Sequence, residues 1–418
     1  MTSNNDFERV LFTPEMKRDY TILIPDMLPM HFKMIAQILN NYGYNIKLLS
    51  TQGPQIADQG LRNVHNDTCY PALLVIGQFI DAIESGEYDI DKTALLITQT
   101  GGGCRASNYI YLLRKALKKR GYGHIPVISL NFSGLDKDAS LPITIPMATQ
   151  FVYTVLLGDL IMLLANQCRP YEVVKGETEL ACERALAECS KIFTKGKVIA
   201  YKSVKVVAIK ILDIFAEVKR EVTDKPKVGI VGEIYVKYSP LGNNNLEDFL
   251  LASGAEAVVP GLLDFLLYCV CNTVIDNQLY GMAKLTAPIY RIVYKYLLGQ
   301  QKDIIKLIKN HKSSFRPNTA FDETYEGVKG YMSHGVKMGE GWLLTAEMIE
   351  LIHAGVSNIV CTQPFGCMPN HIAGKGMIRK IKERNPSANI VAIDYDPGAT
   401  QINQENRIKL MLSSAGRE

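Results

Sequence analysis

YTILIPDMLPMHFKMIAQILNNYGYNIKLLS, residues 20–50, decides the fold. It opens with the β-rich apolar run YTILIP (20–25), continues into the helix-like HFKMIAQILNNYGY and closes on a second strand-like run, NIKLLS (45–50). A strand, a helix and a strand within about 30 residues is the signature of a parallel α/β unit. The pattern resumes at TALLITQT (93–100), with a helix over about 107–120 and then HIPVISLN (124–131). These strands are continuously apolar, which implies a sheet covered by helices on both faces. The loops TQGPQ, QTGGGCRAS and NFSGL fall where strands end, and the carboxyl ends of such strands are where open α/β sheets bind ligands.

From 145 to about 218 the strand signals fade, and MATQFVYTVLLGDLIMLLANQC begins a region of at least two helices. EVTDKPK (221–227) is polar punctuation and marks the boundary. KVGIVGEIYV (227–236) starts a second α/β unit, followed by the loop YSPLGNNN (238–245), a helix from LEDFLLASG and the short strand EAVVP (256–260). A helix over 342–354 leads to NIVCTQPFGCMPN, the helix GKGMIRKIKERNP and the strand NIVAIDYD (389–396). The expected plan is an α/β domain at 1–145, a helical bridging segment at 146–222 and a second α/β domain at 223–418.

Composition fits a globular chain: 418 residues, 47% hydrophobic and 21% charged. A net charge of +4 is too small and too dispersed to imply a nucleic-acid or membrane partner. The N-terminal residues show no secretory signal, and no apolar run is read as reaching the roughly 18–20 residues that cross a bilayer. The expected compartment is a reducing cytoplasm, where cysteines serve as core residues, nucleophiles or metal ligands. Nine of them occur here.

Cys104 lies in TQTGGGCRASN, where consecutive glycines after a strand make a compact turn that exposes backbone N–H groups. The turn is neither a Walker A motif nor a dinucleotide GxGxxG. Cys69 lies in NVHNDTCYPALLVIG; Asn66, Asp67 and Thr68 are N-cap types and Pro71 suits a first helical turn. That places Cys69 at a helix N-terminus, where the macrodipole favours a thiolate. His65 reads as a surface or supporting histidine. Cys361 and Cys367 share IVCTQPFGCMPNH; Cys361 is within or at the end of a strand and as readily buried, whereas Cys367, in an exposed Pro/Gly loop, is expected to be the better ligand. His371 is placed either to cap the next helix or to donate to a cluster sulfur. Cys269 and Cys271 point to different faces if helical, and Cys168, Cys182 and Cys189 read as core.

Three thiolates (Cys69, Cys104 and Cys367) from polar, Gly/Pro-bearing loops suit an iron–sulfur cluster with one open iron better than a structural zinc, whose ligands come in short-spaced pairs. No HExxH or G-x-S-x-G motif and no Ser-His-Asp order is present. A cluster-free enzyme with Cys104 as nucleophile stays open at this point.

The stretches FTPEMKRDYTILIPDMLPMH, NDTCYPALLVIGQ, ITQTGGGCRASNY, PVISLN, QPFGCMPNHIAGKG and AIDYDPGATQINQENRIKLML closely resemble the C-terminal part of the large activase-related proteins of the 2-hydroxyacyl-CoA dehydratase superfamily. The chain is similar in plan to the dehydratase subunits and the double-cubane cluster proteins. The resemblance implies two Rossmann-like domains with a 4Fe–4S or double-cubane 8Fe–9S cluster between them. It implies Cys69, Cys104 and Cys367 as ligands, with Cys361 in reserve. Arg105 is placed to tune the cluster or to bind a substrate carboxylate or phosphate, or else to form a surface salt bridge. The nucleotide-binding domains that usually precede this region in the activase-related proteins have no counterpart here, and no ATP site is read in the chain. A separate ATP-hydrolysing activator is therefore expected to deliver a low-potential electron for reduction or dehydration of a small substrate or acyl-CoA. A homodimer is expected, with no nucleic-acid or membrane partner. A non-catalytic electron-transfer or scaffold role with the same cluster is the alternative.

Overall fold

A computed structural model describes residues 9–99, 103–130 and 139–415. Gly101 and Gly102 of the glycine turn, and the loop read at NFSGL, lie outside them. The chain divides into two compact units, 1–148 with 194–197, and 149–193 with 198–418. Of the stretch read as a bridge, 149–193 and 198–222 count with the second unit.

The first unit runs α1 (Met16–Asp19), β1 (Thr21–Pro25), α2 (Pro29–Asn41), β2 (Asn45–Leu49), α3 (Pro54–Asn63), α4 (Tyr70–Glu84), β3 (Thr93–Thr98), α5 (Tyr109–Lys119) and β4 (Val127–Leu130). The strands form a parallel sheet in the order β2-β1-β3-β4, with Leu23 opposite Leu95 and Leu95 opposite Val127. Ile22, Leu23, Leu95 and Leu96 are completely or almost completely buried, as continuous apolar strands demand. Helices α3 and α4 meet backbone to backbone at Gly60 and Gly77.

The helix α6 (Ile145–Cys168) spans the division after Ala148, followed by α7 (Glu177–Ser190) and α8 (Tyr201–Ala216) in the second unit. Here one expectation is corrected. α6 is long and apolar enough to cross a membrane, but 78% of its apolar window is buried inside the protein, so it serves as a core helix. The misreading came from the Gly, Asp and Gln residues that interrupt its apolar run. Asp159 of α6 accepts hydrogen bonds from the amides of Leu262 and Leu263 and so caps a helix that follows.

The second unit continues with β5 (Lys227–Gly232), α9 (Ile234–Tyr238), α10 (Pro240–Asn243), α11 (Leu246–Ala252), β6 (Glu256–Val258), α12 (Leu262–Tyr280), α13 (Ala287–Asn310), α14 (Phe321–Gly327), α15 (Trp342–His353), β7 (Asn358–Pro364), α16 (Ile378–Arg384), β8 (Asn389–Tyr395) and α17 (Gln401–Ala415). Its parallel sheet has the order β6-β5-β7-β8, the same winding as the first, with Val231 opposite Cys361 and Cys361 opposite Ala392. Both units are thus Rossmann-like α/β layers. Half of the stretch read as the loop 238–245 is the short helix α10, because the Ser239 side chain caps it and Pro240 opens it. The sole tryptophan, Trp342, is fully buried and ringed by Tyr268, Phe321, Tyr325 and His334 at centroid distances of 4.9 to 5.9 Å.

Candidate functional site

In each sheet the winding reverses beside the first strand: the chain goes from β1 to β2 on one side, then to β3 on the other, and β5, β6 and β7 repeat this. Such a reversal opens a crevice at the carboxyl ends of the strands flanking it. Cys104 lies in the loop after β3 and Cys367 in the loop after β7. The two cysteines therefore occupy corresponding positions in the two halves.

In the first unit, Cys69 is the N-cap of α4, with Pro71 in the first turn, as the sequence indicated. Its side chain is 5% exposed and shares a 2.9 Å hydrogen bond with the hydroxyl of Tyr109, the first residue of α5. Cys104 is half-buried and caps the 3₁₀ turn Arg105–Asn108 that leads into α5, with its sulfur 3.5 Å from the amide of Ala106. Arg105 donates to the carbonyl oxygen of Asp67, two residues before Cys69. Tyr109 and Arg105 thus bring the Cys69 and Cys104 segments together. Neither contact was read from the sequence, although Tyr109 closes the quoted stretch ITQTGGGCRASNY. His65 is exposed beside Asp67, with Nδ1 3.5 Å from its carboxylate.

In the second unit the expected exposure of Cys367 is corrected: it is buried (7% exposed), because the turn after β7 folds back on itself, the Cys367 amide donating to the carbonyl of Pro364 and the Cys367 carbonyl accepting from the amide of His371. His371 is exposed, and its Nδ1 meets Gln363 Nε2. Cys361 is fully buried in β7, and burial pushes its thiol up to about 12, with Asp394 and Glu347 adding to the shift. A thiol so reluctant to ionise is a poorer metal ligand than one at a helix start. On α12, Cys269 is exposed and Cys271 buried, on different faces as expected for a helix; Cys168, Cys182 and Cys189 are buried in helices. Among the described residues, no group of three or more His, Cys, Asp or Glu side chains is gathered to hold a metal ion.

Sequence reasoning missed a buried ionic set at the carboxyl end of β5. Glu233 follows the strand and accepts from the amide of Val236 at 3.0 Å; Glu340 accepts from the amide of Ile234 at 3.0 Å. Lys237 and Glu347 form a 2.8 Å ion pair, 4% and 2% exposed. Burial first, then the neighbouring Glu340, pushes the Glu233 carboxyl up to about 8. Glu340 and Glu347 are raised too, chiefly by burial. The signal was present, since an acid directly after an apolar strand is unusual, but its partners lie about a hundred residues away.

A carboxyl held protonated to higher pH when folded favours the folded state at low pH, where both states carry the proton. As pH rises past the unfolded value near 4.5, the unfolded chain gains by ionising and the folded chain does not. Stability from this group therefore falls between about pH 4.5 and 8. Glu233→Gln keeps an oxygen for the Val236 amide and removes the titration. The variant is expected to melt a few degrees above wild type at pH 8, with a smaller gain at pH 5. Thermal melts across that range check this; a gain independent of pH counts against buried titration at Glu233.

No protein-family model matches the chain, and no curated protein matches it.

Proposed function

We propose that the chain is an iron–sulfur protein of the 2-hydroxyacyl-CoA dehydratase type, with Cys69, Cys104 and Cys367 as cluster ligands. The observation that carries this reading is the pairing in the first unit: two cysteines, each at a helix start, on segments joined by Tyr109 and Arg105. The positive end of α4 favours the thiolate form of Cys69. The Tyr109 hydroxyl and the Ala106 amide are set to donate to the two sulfurs, the kind of contact that orients ligands and tunes a cluster's potential. Cys367 supplies the third sulfur from the corresponding loop of the other half. Arg105 adds a fixed positive charge beside Cys104, suited to a carboxylate or phosphate on a substrate.

When bound, a 4Fe–4S or double-cubane cluster supplies low-potential one-electron chemistry to a small substrate or acyl-CoA. In this reading a separate ATP-hydrolysing activator provides the electron, and the chain works in a reducing cytoplasm as a dimer. Its own residues hold the sulfurs, keep Cys69 and Cys367 out of water and position the substrate's charge.

Anoxic purification or reconstitution followed by iron and sulfide determination tests the reading. At least about three irons per chain are expected; fewer in carefully reconstituted protein rejects it. If the cluster is reduced in the presence of an activator and ATP, yet no acyl-CoA or small substrate yields product, the electron-transfer role takes its place.

A further inference from the structure

β4 and β8 take the same place in their sheets, as the last strand on one edge, but the two edges are finished differently. On β4 the chain covers the edge itself. The Ser129 amide donates to the carbonyl of Ala139 at 2.8 Å, and the Ser129 carbonyl accepts from the amide of Leu141 at 3.0 Å, a parallel bridge. This edge position therefore accepts an added extended segment.

On β8 the Asn389 amide donates to Ser357 and the Tyr395 carbonyl accepts from Phe365, so the odd-numbered residues bond toward β7. A strand residue turns its N–H and C=O to the same side, so Ile390, Ala392 and Asp394 turn theirs outward. Gln404 of α17 donates to the Asp394 carbonyl at 2.9 Å and closes that end. The N–H and C=O of Ile390 and Ala392 have no partner among the described residues. Both residues line an open groove of about 760 Å³ between α16 and α17. Lys375, Arg379, Lys382 and Arg407 also line it, with Glu383 as the one acid. Asp394 pairs with Lys375 and Arg407, and Glu383 with Arg379, so four cations meet two acids. Lys382 is in no ion pair among the described residues.

We propose that this groove binds an extended acidic segment of a partner protein as an added strand beside β8. Unpaired edge groups are a template for another strand. Only a polypeptide repeats donors and acceptors at the strand spacing, which selects against a small anion. The excess of positive charge selects an acidic segment and sets its cations against a second copy of β8, which would bring like charges together. Charge on an edge also serves to repel other strands, and a purely protective role predicts that no segment binds. The proposal is independent of the iron–sulfur reading, since none of the candidate ligands lies in the groove.

Fluorescence anisotropy of the full chain with a labelled decapeptide of alternating Glu and Val reads the binding. A dissociation constant on the order of micromolar is expected, weakening as salt rises. The same peptide methylated on its backbone nitrogens keeps every charge and should bind at least ~10-fold more weakly. Arg379→Glu combined with Lys382→Glu should weaken binding at least ~10-fold, with circular dichroism unchanged because both side chains are exposed. Hydrogen exchange at Ile390 and Ala392 should slow when the peptide is added. Absence of binding overturns the proposal, as does binding indifferent to the double substitution. Equal affinity for the methylated peptide, with displacement by inorganic tripolyphosphate, makes the groove an anion site and overturns strand addition. Exchange at Ile390 and Ala392 that slows with chain concentration alone gives the edge to a second copy and also overturns it.

Discussion

Anoxically reconstituted Cys104→Ser is expected to retain less than about half the iron of wild type after desalting, because a hydroxyl is a much poorer ligand for an iron–sulfur cluster than a thiolate. Serine is the informative replacement here. Cys104 caps the turn Arg105–Asn108, and serine is among the preferred capping residues, so the local backbone keeps its support. The side chain is only half-buried, so the substitution leaves no cavity in the core. Loss of iron in this variant therefore reports on sulfur chemistry and not on folding. Cys361→Ala is the matched comparison: its thiol is buried in β7 against Asn370, and iron content should stay close to wild type despite some loss of stability. Full iron in Cys104→Ser rejects the ligand assignment. Iron lost from Cys361→Ala and kept in Cys104→Ser moves the ligand to the strand.

The alternation of strands and helices was legible in the sequence because it depends on short-range pattern. TILIP, TALLIT and NIVCTQP read as buried strands from composition alone, and the sheets place them so. The helix start at Cys69 was legible for the same reason: capping types and a proline sit next to each other in the chain. What the sequence could not disclose were contacts closed by the fold. Tyr109 is 40 residues from Cys69, and Lys237 is 110 from Glu347; each pair meets only once its elements pack. α6 was misjudged in the opposite direction. A few polar residues hid the length of its apolar run, and the protein uses one of them, Asp159, to cap α12.

The common winding of the two sheets also bears on the candidate ligands. A loop after the third strand is at a crevice whatever the chain's chemistry, so the correspondence of Cys104 and Cys367 follows from topology acting twice. Cys69 has no such counterpart. Its position depends on α4, and the placement of α4 depends on how closely α3 approaches it.

That dependence gives the second large expected effect. Gly77→Ala should destabilise the chain by about 2–3 kcal/mol or more, where the same exchange at an unobstructed helical glycine gains roughly 0.5–1 kcal/mol. A Cβ at Gly77 would stand 2.0 Å from the carbonyl oxygen of Ile56 and 2.9 Å from the amide nitrogen of Gly60. At Gly60 it would stand 2.3 Å from the carbonyl oxygen of Leu73. All these neighbours are backbone, so no rotamer change relieves the overlap and the two helices must separate. The segment joining them, residues 64–69, carries both Asp67, which holds Arg105, and Cys69 itself. Separation of α3 from α4 therefore loosens the candidate ligand together with the core. Urea unfolding should show a lower midpoint, and the reconstituted variant should hold less iron at temperatures where it is still folded. Gly60→Ala should act in the same direction, since it meets the same interface from the other side. A neutral or stabilising result for Gly77→Ala would mean that the helices are farther apart than 2.0 Å from Cβ to carbonyl implies, and the positioning of Cys69 by this contact would be lost with it.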